Sequence, residues 1–308
     1  MDISVIMATY KRADLIKQTL ESFISLNTRD IIWQLIISDN AGDAQTERIV
    51  RSYENRLPLQ FLKSSKRGKN AALNSALSKA EGELFVFTDD DIIADPAWLK
   101  QLWEGIKRWP EHAVFGGRIE PSWPDGKIPF QGLEPAFINS SYVIANWGIS
   151  EGPISSGKVW GPNMAIRRTV FDKGYRFNEL IGPQGGNYIM GSETELTKRL
   201  ERDGYGAVYL PKALVYHIIR KEQTKPSWIY GRAFRYGRSD VYEDIQEDVP
   251  MVKGVPRYLY RLMMINFLKF IFAALTFQRK KRIECGIDYW MVRGRIYEYR
   301  RKYKIERT

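Results

Sequence analysis

Between residues 3 and 119, short apolar runs alternate with stretches of helical periodicity, and this alternation leaves the chain few architectures. Asp2–Met7, Ile31–Ser38, Leu59–Lys63, Glu83–Thr88 and Ala113–Ile119 read as strands, most of them near-continuous in apolar residues, as strands buried on both faces are. Lys11–Leu26, Thr46–Asn55 and Asn70–Ala80 read as helices. Asp95, as N-cap, and Pro96, in the first turn, open another that runs to Arg108. Strands and helices in this order predict an α/β fold with a mostly parallel, Rossmann-like sheet flanked by helices. Ligands of such sheets bind at the carboxyl ends of strands, which singles out Thr9–Tyr10, Asp39–Asn40 and Asp89–Asp91.

The later chain reads less regularly. Residues 120–160, rich in Pro, Gly and Trp, predict long loops with short strands lining a cleft. Gly191–Asp203 has a helical pattern, and Ala207–Tyr209 and Ala213–Tyr216 read as two strands around Pro211. From Pro226 onward the sequence is helical, aromatic and basic.

The strongest local signal is Asp89-Asp90-Asp91, three carboxylates at the exit of an apolar strand. They repel one another, and a magnesium or manganese ion that also grips a diphosphate relieves the repulsion. The plainer alternative is a solvated turn before a helix. Asp39 admits a hydrogen bond to a base or ribose, or a turn role. Lys66-Arg67-Gly68-Lys69-Asn70 offers positive charge and helix N-terminal amides to phosphates, or is a basic surface loop. Glu193 and Glu195, two residues apart at a helix start, cannot share one face; one carboxylate in a cleft would serve as a base, and the alternative is helix-dipole stabilisation. His217 follows an apolar strand and is either a metal ligand or a satisfied buried histidine.

Charge separates the body from the tail. The net charge is +11; residues 251–308 carry 15 Lys/Arg against 4 Asp/Glu, whereas the first 250 carry 32 of each. Such a tail suits a polyanionic surface. A single cysteine, Cys285, excludes an internal disulfide and fits a reducing compartment. The chain opens directly into a strand-like run, so a cytoplasmic location is expected. Tyr258–Phe277 contains Arg261, Asn266 and Lys269, which favours a helix lying in a membrane interface over one spanning it.

In order along about residues 3–240, these segments resemble the inverting family 2 glycosyltransferases of GT-A fold. VIMATYKR resembles the first strand and nucleotide loop, which implies Thr9 and Tyr10 near the donor. IISDNAGD implies Asp39 at the nucleobase, and KRGKNAALNSAL implies Arg67 and Asn70 near the nucleotide. FTDDDIIADPAWL is close to the family's Asp-X-Asp segment, with Asp89 facing the ribose, Asp90 beside it and Asp91 on the metal, Mn2+ or Mg2+. Gly116-Gly117-Arg118 resembles a strand lining the sugar pocket, and WGPNMAIRRTVF implies Asn163 and Met164 near the donor sugar. GSETELTKRLERDGY stands where the family has a Glu-Asp motif, but the pair here is Ser192-Glu193; the resemblance implies Glu193 as the base, with Glu195 the alternative. YLPKALVYH implies His217 as a ligand of metal or diphosphate.

The expected organisation is a glycosyltransferase domain over 1–225, with a nucleotide-binding half at 1–119 and a sugar and acceptor half at 120–225. A helical extension over 226–308 follows. The implied reaction moves a sugar from a nucleotide-diphosphate donor to the hydroxyl of a saccharide or lipid-linked acceptor, in surface polysaccharide or glycolipid synthesis. Residues 257–282 are the expected contact with an anionic membrane, and nucleic acid is not an expected partner. A sugar nucleotidyltransferase is the main rival, but a glycine-rich loop after the first strand is missing from MATYKR. A non-enzymatic polyanion-binding protein explains the tail but not the acidic cluster.

Overall fold

A computed structural model describes residues 1–184, 187–189, 191–243 and 249–305. The chain forms two compact units: Met1–Ser122 with Tyr142–Asn187 and Gly191–Ile218, and Trp123–Ser141 with Tyr188–Met190 and Ile219–Thr308.

The first unit opens with β1 (Ile3–Thr9), α1 (Ala13–Ile24), β2 (Trp33–Asp39), α2 (Ala44–Arg51), β3 (Leu59–Lys63), α3 (Lys69–Leu77) and β4 (Leu84–Thr88). It continues through β5 (Ile92–Ala94), α4 (Trp98–Arg108) and β6 (Val114–Ser122). In chain order, after α5 (Pro135–Tyr142) come β7 (Gly152–Ile154), β8 (Met164–Arg167), α6 (Arg168–Asp172), β9 (Gly182–Gln184), β10 (Asn187–Ile189), α7 (Ser192–Arg202) and β11 (Ala207–Ile218); α5 up to Ser141 and β10 from Tyr188 belong to the second unit. Among the described residues, the main sheet runs β3-β2-β1-β4-β8-β6-β11-β5, with β7 also on β11. β1, β2, β3 and β4 are parallel, as are β6 and β11, while β5, β7 and β8 run antiparallel to their neighbours.

The central strands are apolar on both sides because both sides are covered. Val5, Met7, Leu35, Ile37 and Val86 enter one core with Ile16, Leu20 and Phe23 of α1 and Trp98, Leu102 and Ile106 of α4. Their chain neighbours Ile6, Ile36, Phe85 and Phe87 enter a second core with Leu73 and Leu77 of α3 and Leu196 and Leu200 of α7. Ile16, Leu20 and Phe23 recur at helical spacing, so one face of α1 seals the sheet. The register sets Thr9 of β1 opposite Asp39 of β2 and Met7 opposite Thr88 of β4. Three strand ends therefore open on one edge. This is the α/β, GT-A architecture that the sequence predicts.

Several local expectations are corrected. Ile92–Ala94, directly after the acidic triplet, is a strand antiparallel to β11, so the triplet is not a free turn. The two strands read around Pro211 are one, β11, with an irregularity between Leu210 and Leu214 that absorbs the proline. Asp95 accepts from the Ala97 N–H at 2.8 Å, but Ala97 is the N-cap residue of α4. Residues 120–160 include the helix α5 and the strand β7 as well as loops.

In the second unit, α8 (Pro226–Glu243), α9 (Arg257–Leu275) and α10 (Arg279–Ile305) follow α5, with a two-residue pair of strands, β12 (Met251–Val252) and β13 (Val255–Pro256), before α9. α8 and α10 approach closely at glycines: a Cβ on Gly237 would strike the Met291 carbonyl, and one on Gly294 the Phe234 carbonyl. Arg238 of α8 donates to Glu298 of α10 at 2.7 Å, a buried ion pair that fixes their register.

Candidate active site

The acidic triplet leaves β4 into the edge where β1, β2 and β11 also end. Asp90 and Asp91 are buried. Thr9, the last residue of β1, donates its hydroxyl to Asp90 Oδ2 at 2.7 Å. Arg12, at the entry to α1, donates one Nη to Asp90 Oδ1 and to Asp91 Oδ2, both at 2.9 Å. Burial opposes the charge on Arg12, but Asp90 and Asp91 outweigh it and hold the guanidinium protonated. For Asp90, burial is the larger effect: despite Arg12 its carboxyl is pushed up to about 6.

Asp91 also faces β11. His217 Nε2 lies 3.6 Å from Asp91 Oδ1, and His217 Nδ1 lies 2.7 Å from the Tyr142 carbonyl oxygen. A carbonyl can only accept, so Nδ1 carries a proton and the ring turns its Nε2 edge toward Asp91. Burial disfavours the imidazolium, yet the Asp91 carboxylate raises its pKa overall. A carboxylate oxygen and a ring nitrogen, oriented from behind by a backbone carbonyl, suit a divalent ion. No set of three or more His, Cys, Asp or Glu side chains is assembled for a metal among the described residues. The residues fit two ligands of such an ion, and magnesium-like ions commonly take one or two protein carboxylates and complete their shell with water and substrate phosphate.

The third carboxylate joins a different cation. Lys69, the first residue of α3, places its Nζ 2.6 Å from Asp89 Oδ1 and 2.6 Å from Glu193 Oε1. Glu193 lies in the first turn of α7, which Gly191 opens in the left-handed conformation at φ 94°. Its second oxygen accepts from the Ser192 hydroxyl at 2.6 Å. Burial disfavours the Glu193 carboxylate, but Lys69 and Ser192 hold it below the ordinary range. Gly161 makes room for it: a Cβ there would sit 2.6 Å from Glu193 Oε1. Glu195 turns away to Arg199, one turn on, at 3.1 Å. Of the two glutamates, Glu193 is the one beside the triplet.

The remaining candidates are placed as follows. Asp39 is buried, and its two oxygens accept from the N–H groups of Ala41 at 2.9 Å and Asp43 at 3.0 Å, shaping the loop after β2. Tyr10 is exposed, with the Lys11 ammonium 5.8 Å from its ring centre. Arg67 is exposed, and Lys69, two residues on, is the cation that reaches the carboxylates. Asn70 is buried and donates to the carbonyls of Asn178 and Ile181 at 2.7 and 3.1 Å, tying down the loop before β9. Asn163 is buried among donors and acceptors: Oδ1 accepts from Trp98 Nε1 at 2.9 Å, and Nδ2 donates to the carbonyls of Arg118 at 2.9 Å and Ala213 at 2.8 Å. Its neighbour Met164 is fully buried in β8.

Sequence reasoning passed over Arg12 and named Lys69 only within the basic run 66–70. The signal was available, since consecutive carboxylates at a buried strand end require counter-cations, and both residues stand where chain segments re-enter helices at that edge.

The family described as glycosyl transferase family 2 matches residues 4–174. The chain belongs to this family. Among its relatives, the O-antigen biosynthesis protein RfbC of Myxococcus xanthus is 24% identical over 230 residues, 70% of this chain and 17% of that protein. The putative glycosyltransferase EpsE of Bacillus subtilis is 30% identical over 147 residues, 42% of this chain and 52% of its own length. The family 2 chain thus spans only part of the curated relatives it matches. Among solved structures, mannosyltransferase PcManGT of Pyrobaculum calidifontis, in complex with GDP-Man and Mn2+, superposes with a TM-score of 0.62 at 17% identity, covering 96% of this chain and 86% of the other. S. aureus TarS 1-349 in complex with UDP-GlcNAc gives a TM-score of 0.56 at 17% identity, covering 99% and 92%. These likenesses bear on the fold.

Proposed function

We propose that this family 2 protein transfers a sugar from a nucleotide-diphosphate donor to an acceptor hydroxyl with inversion at the anomeric carbon. One observation carries the reading: Lys69 joins Asp89 of the acidic triplet to Glu193, so a candidate base stands beside the candidate donor site. The printed ligands of the structural neighbours, GDP-Man with Mn2+ and UDP-GlcNAc, support a nucleotide-sugar donor. The O-antigen role of RfbC supports an acceptor in surface polysaccharide synthesis.

In this reading the acceptor oxygen attacks the anomeric carbon as the bond from that carbon to the diphosphate oxygen breaks. The bonding pair leaves with the diphosphate, and the acceptor proton passes to Glu193. Lys69 and Ser192 keep that carboxylate ionised and aimed. Asp91 and His217 would hold Mn2+ or Mg2+, which when bound supplies positive charge to the leaving diphosphate. Arg12 offsets the acidic charge that would otherwise repel the donor, and Thr9 fixes Asp90. Charge placed before the reaction, where charge will develop, is commonly a large part of catalysis.

The test is a donor screen with Mn2+ or Mg2+ that follows nucleoside diphosphate release, on the native chain and on Asp91→Ala and Glu193→Gln. The expected result is metal-dependent release that Asp91→Ala abolishes, with Glu193→Gln retaining donor binding but losing transfer. Release of pyrophosphate instead would identify a nucleotidyltransferase and overturn the proposal.

A further inference from the structure

The second unit carries an exposed apolar surface. In α9, the buried residues Leu259, Asn266 and Ala273 recur every seven positions and mark its packed side. At about 100° per residue, Met264, Leu268, Ile271, Phe272 and Leu275 fall within a sector of roughly 100° on the opposite side. All five are exposed, Phe272 by 65% and Leu275 by 73%. Among the described residues, α9 is the one helix long and apolar enough to cross a membrane by length and composition, yet one side of it packs in the unit, as the tilted aromatic pair Phe267–Tyr289 at 5.5 Å shows.

The end of α9 adds an independent observation. Gln278 N–H donates to the Ala273 carbonyl at 3.0 Å and Phe277 N–H to the Ala274 carbonyl at 3.3 Å, the two bonds of a Schellman cap. The left-handed residue of that cap is normally glycine. Here it is Phe277, at φ 56° and 93% exposed. A bulky aromatic in this conformation strains the backbone and wets its own ring, so folding alone does not account for it. Next comes Arg279-Lys280-Lys281-Arg282, all exposed. Residues 257–282 hold seven basic residues and no acidic one; Glu284, in contact with Lys280 at 3.8 Å and Lys281 at 3.6 Å, offsets one charge.

We infer that the exposed face of α9, with Phe277 at its tip, inserts in the plane of an anionic lipid leaflet while Arg279–Arg282 meet the headgroup phosphates. An apolar face alone would suit a second copy of the chain as well, but four exposed cations beside it would repel their counterparts. An anionic bilayer satisfies both features, and stable anchoring generally requires both signals. Arg261 and Lys269, exposed on the same helix, can reach the headgroups with their stems over the apolar layer.

The test is flotation of the full chain with phosphatidylglycerol-containing or pure phosphatidylcholine vesicles, alongside thermal unfolding and light scattering. The chain should float only with the anionic vesicles, less in high salt, and should be stripped by alkaline carbonate. Phe277→Gly should weaken vesicle partitioning about tenfold, the loss of one inserted aromatic, while its melting temperature stays equal or rises, because glycine suits the cap. Replacing Arg279, Lys280, Lys281 and Arg282 together by Gln should abolish flotation without lowering the melting temperature. Equal binding to both vesicle types, resistance to carbonate, or a dimer that Phe277→Gly dissociates would overturn the inference. It stands apart from the sugar-transfer reading, since vesicle binding needs no donor.

Discussion

Lys69 lies 2.6 Å from Glu193 and supplies the opposite charge that keeps this carboxylate ionised against its burial. Glu193 therefore holds its proton less tightly than a free glutamate, whose reference value is 4.5. A base acts when ionised, so this group is competent above its lowered pKa and loses competence only as pH falls through it. The acid limb of the wild-type rate should accordingly lie below the ordinary glutamate range. In Lys69→Met, burial is opposed only by the hydrogen bonds to the carboxylate, chiefly that of Ser192, and the acid limb should move upward, so activity at pH 6 falls more than activity at pH 8. The pH profile of kcat/KM checks this. Glu193→Gln should cost about 10²–10⁴-fold above the acid limb, as loss of a general base does, and less below it, whereas Glu195→Gln, which breaks only the contact with Arg199, should retain most activity.

Asp90 behaves in the opposite sense. Its carboxyl is raised from 3.8 to about 6 in the folded chain, chiefly by burial. Below the unfolded value both states hold the proton. As pH rises toward the folded value, the unfolded chain releases it first, so the contribution of this group to stability falls; the full change is roughly 3 kcal/mol. Above that range the loss is complete. In chelator, the stability of Asp90→Asn relative to wild type should rise between about pH 4 and 6 and then level off. Thermal unfolding of both proteins across that interval measures the difference, in which the other titrating groups largely cancel.

The metal reading can be separated from activity. Arg12 places a positive charge 2.9 Å from Asp91 Oδ2, next to the position a divalent ion would take. Removing it in Arg12→Gln relieves like-charge repulsion, and Mn2+ affinity of the nucleotide-free chain should rise about tenfold or more. Asp91→Ala removes the carboxylate ligand and His217→Ala the ring nitrogen, so both should lower it. Electron paramagnetic resonance titration with Mn2+ alone reads all three, and an unchanged affinity in Asp91→Ala would place the ion elsewhere.

The sequence made the sheet legible because its central strands are covered on both faces and so must be continuously apolar. Strand ends followed from that, and Asp89–Asp91 with them. What it left unreadable depended on contacts between distant segments. Asn163 stands in a motif that pointed to the sugar, yet its amide is consumed by Trp98, Arg118 and Ala213, partners 45 to 65 residues away in the chain. β5 was missed because three residues carry no period of their own; they become a strand only where β11 lies alongside. The resemblance pointed to Arg67 over Lys69, and the residues alone mark a basic loop without showing which side chain turns inward.

Two glycines offer a final contrast between holding the fold and holding the base. An alanine Cβ at position 117 would lie 2.5 Å from the Ala213 carbonyl oxygen and strike the Asn163 amide, so backbone and a buried hydrogen-bonded network would both have to move. Gly117→Ala should destabilise by about 3 kcal/mol or more. At position 161 the atoms nearest the Cβ all belong to the Glu193 side chain, Oε1 at 2.6 Å and Cδ at 2.8 Å. That side chain can give way only by loosening its bonds to Lys69 and Ser192, so Gly161→Ala should cost less than Gly117→Ala, about 1–2 kcal/mol. It should still lower transfer by roughly a hundredfold, because a base displaced by an ångström no longer meets the acceptor proton. Thermal unfolding and transfer assays on the two variants distinguish them: if Gly161→Ala unfolds early but transfers normally when folded, Glu193 is a structural residue and the base lies elsewhere.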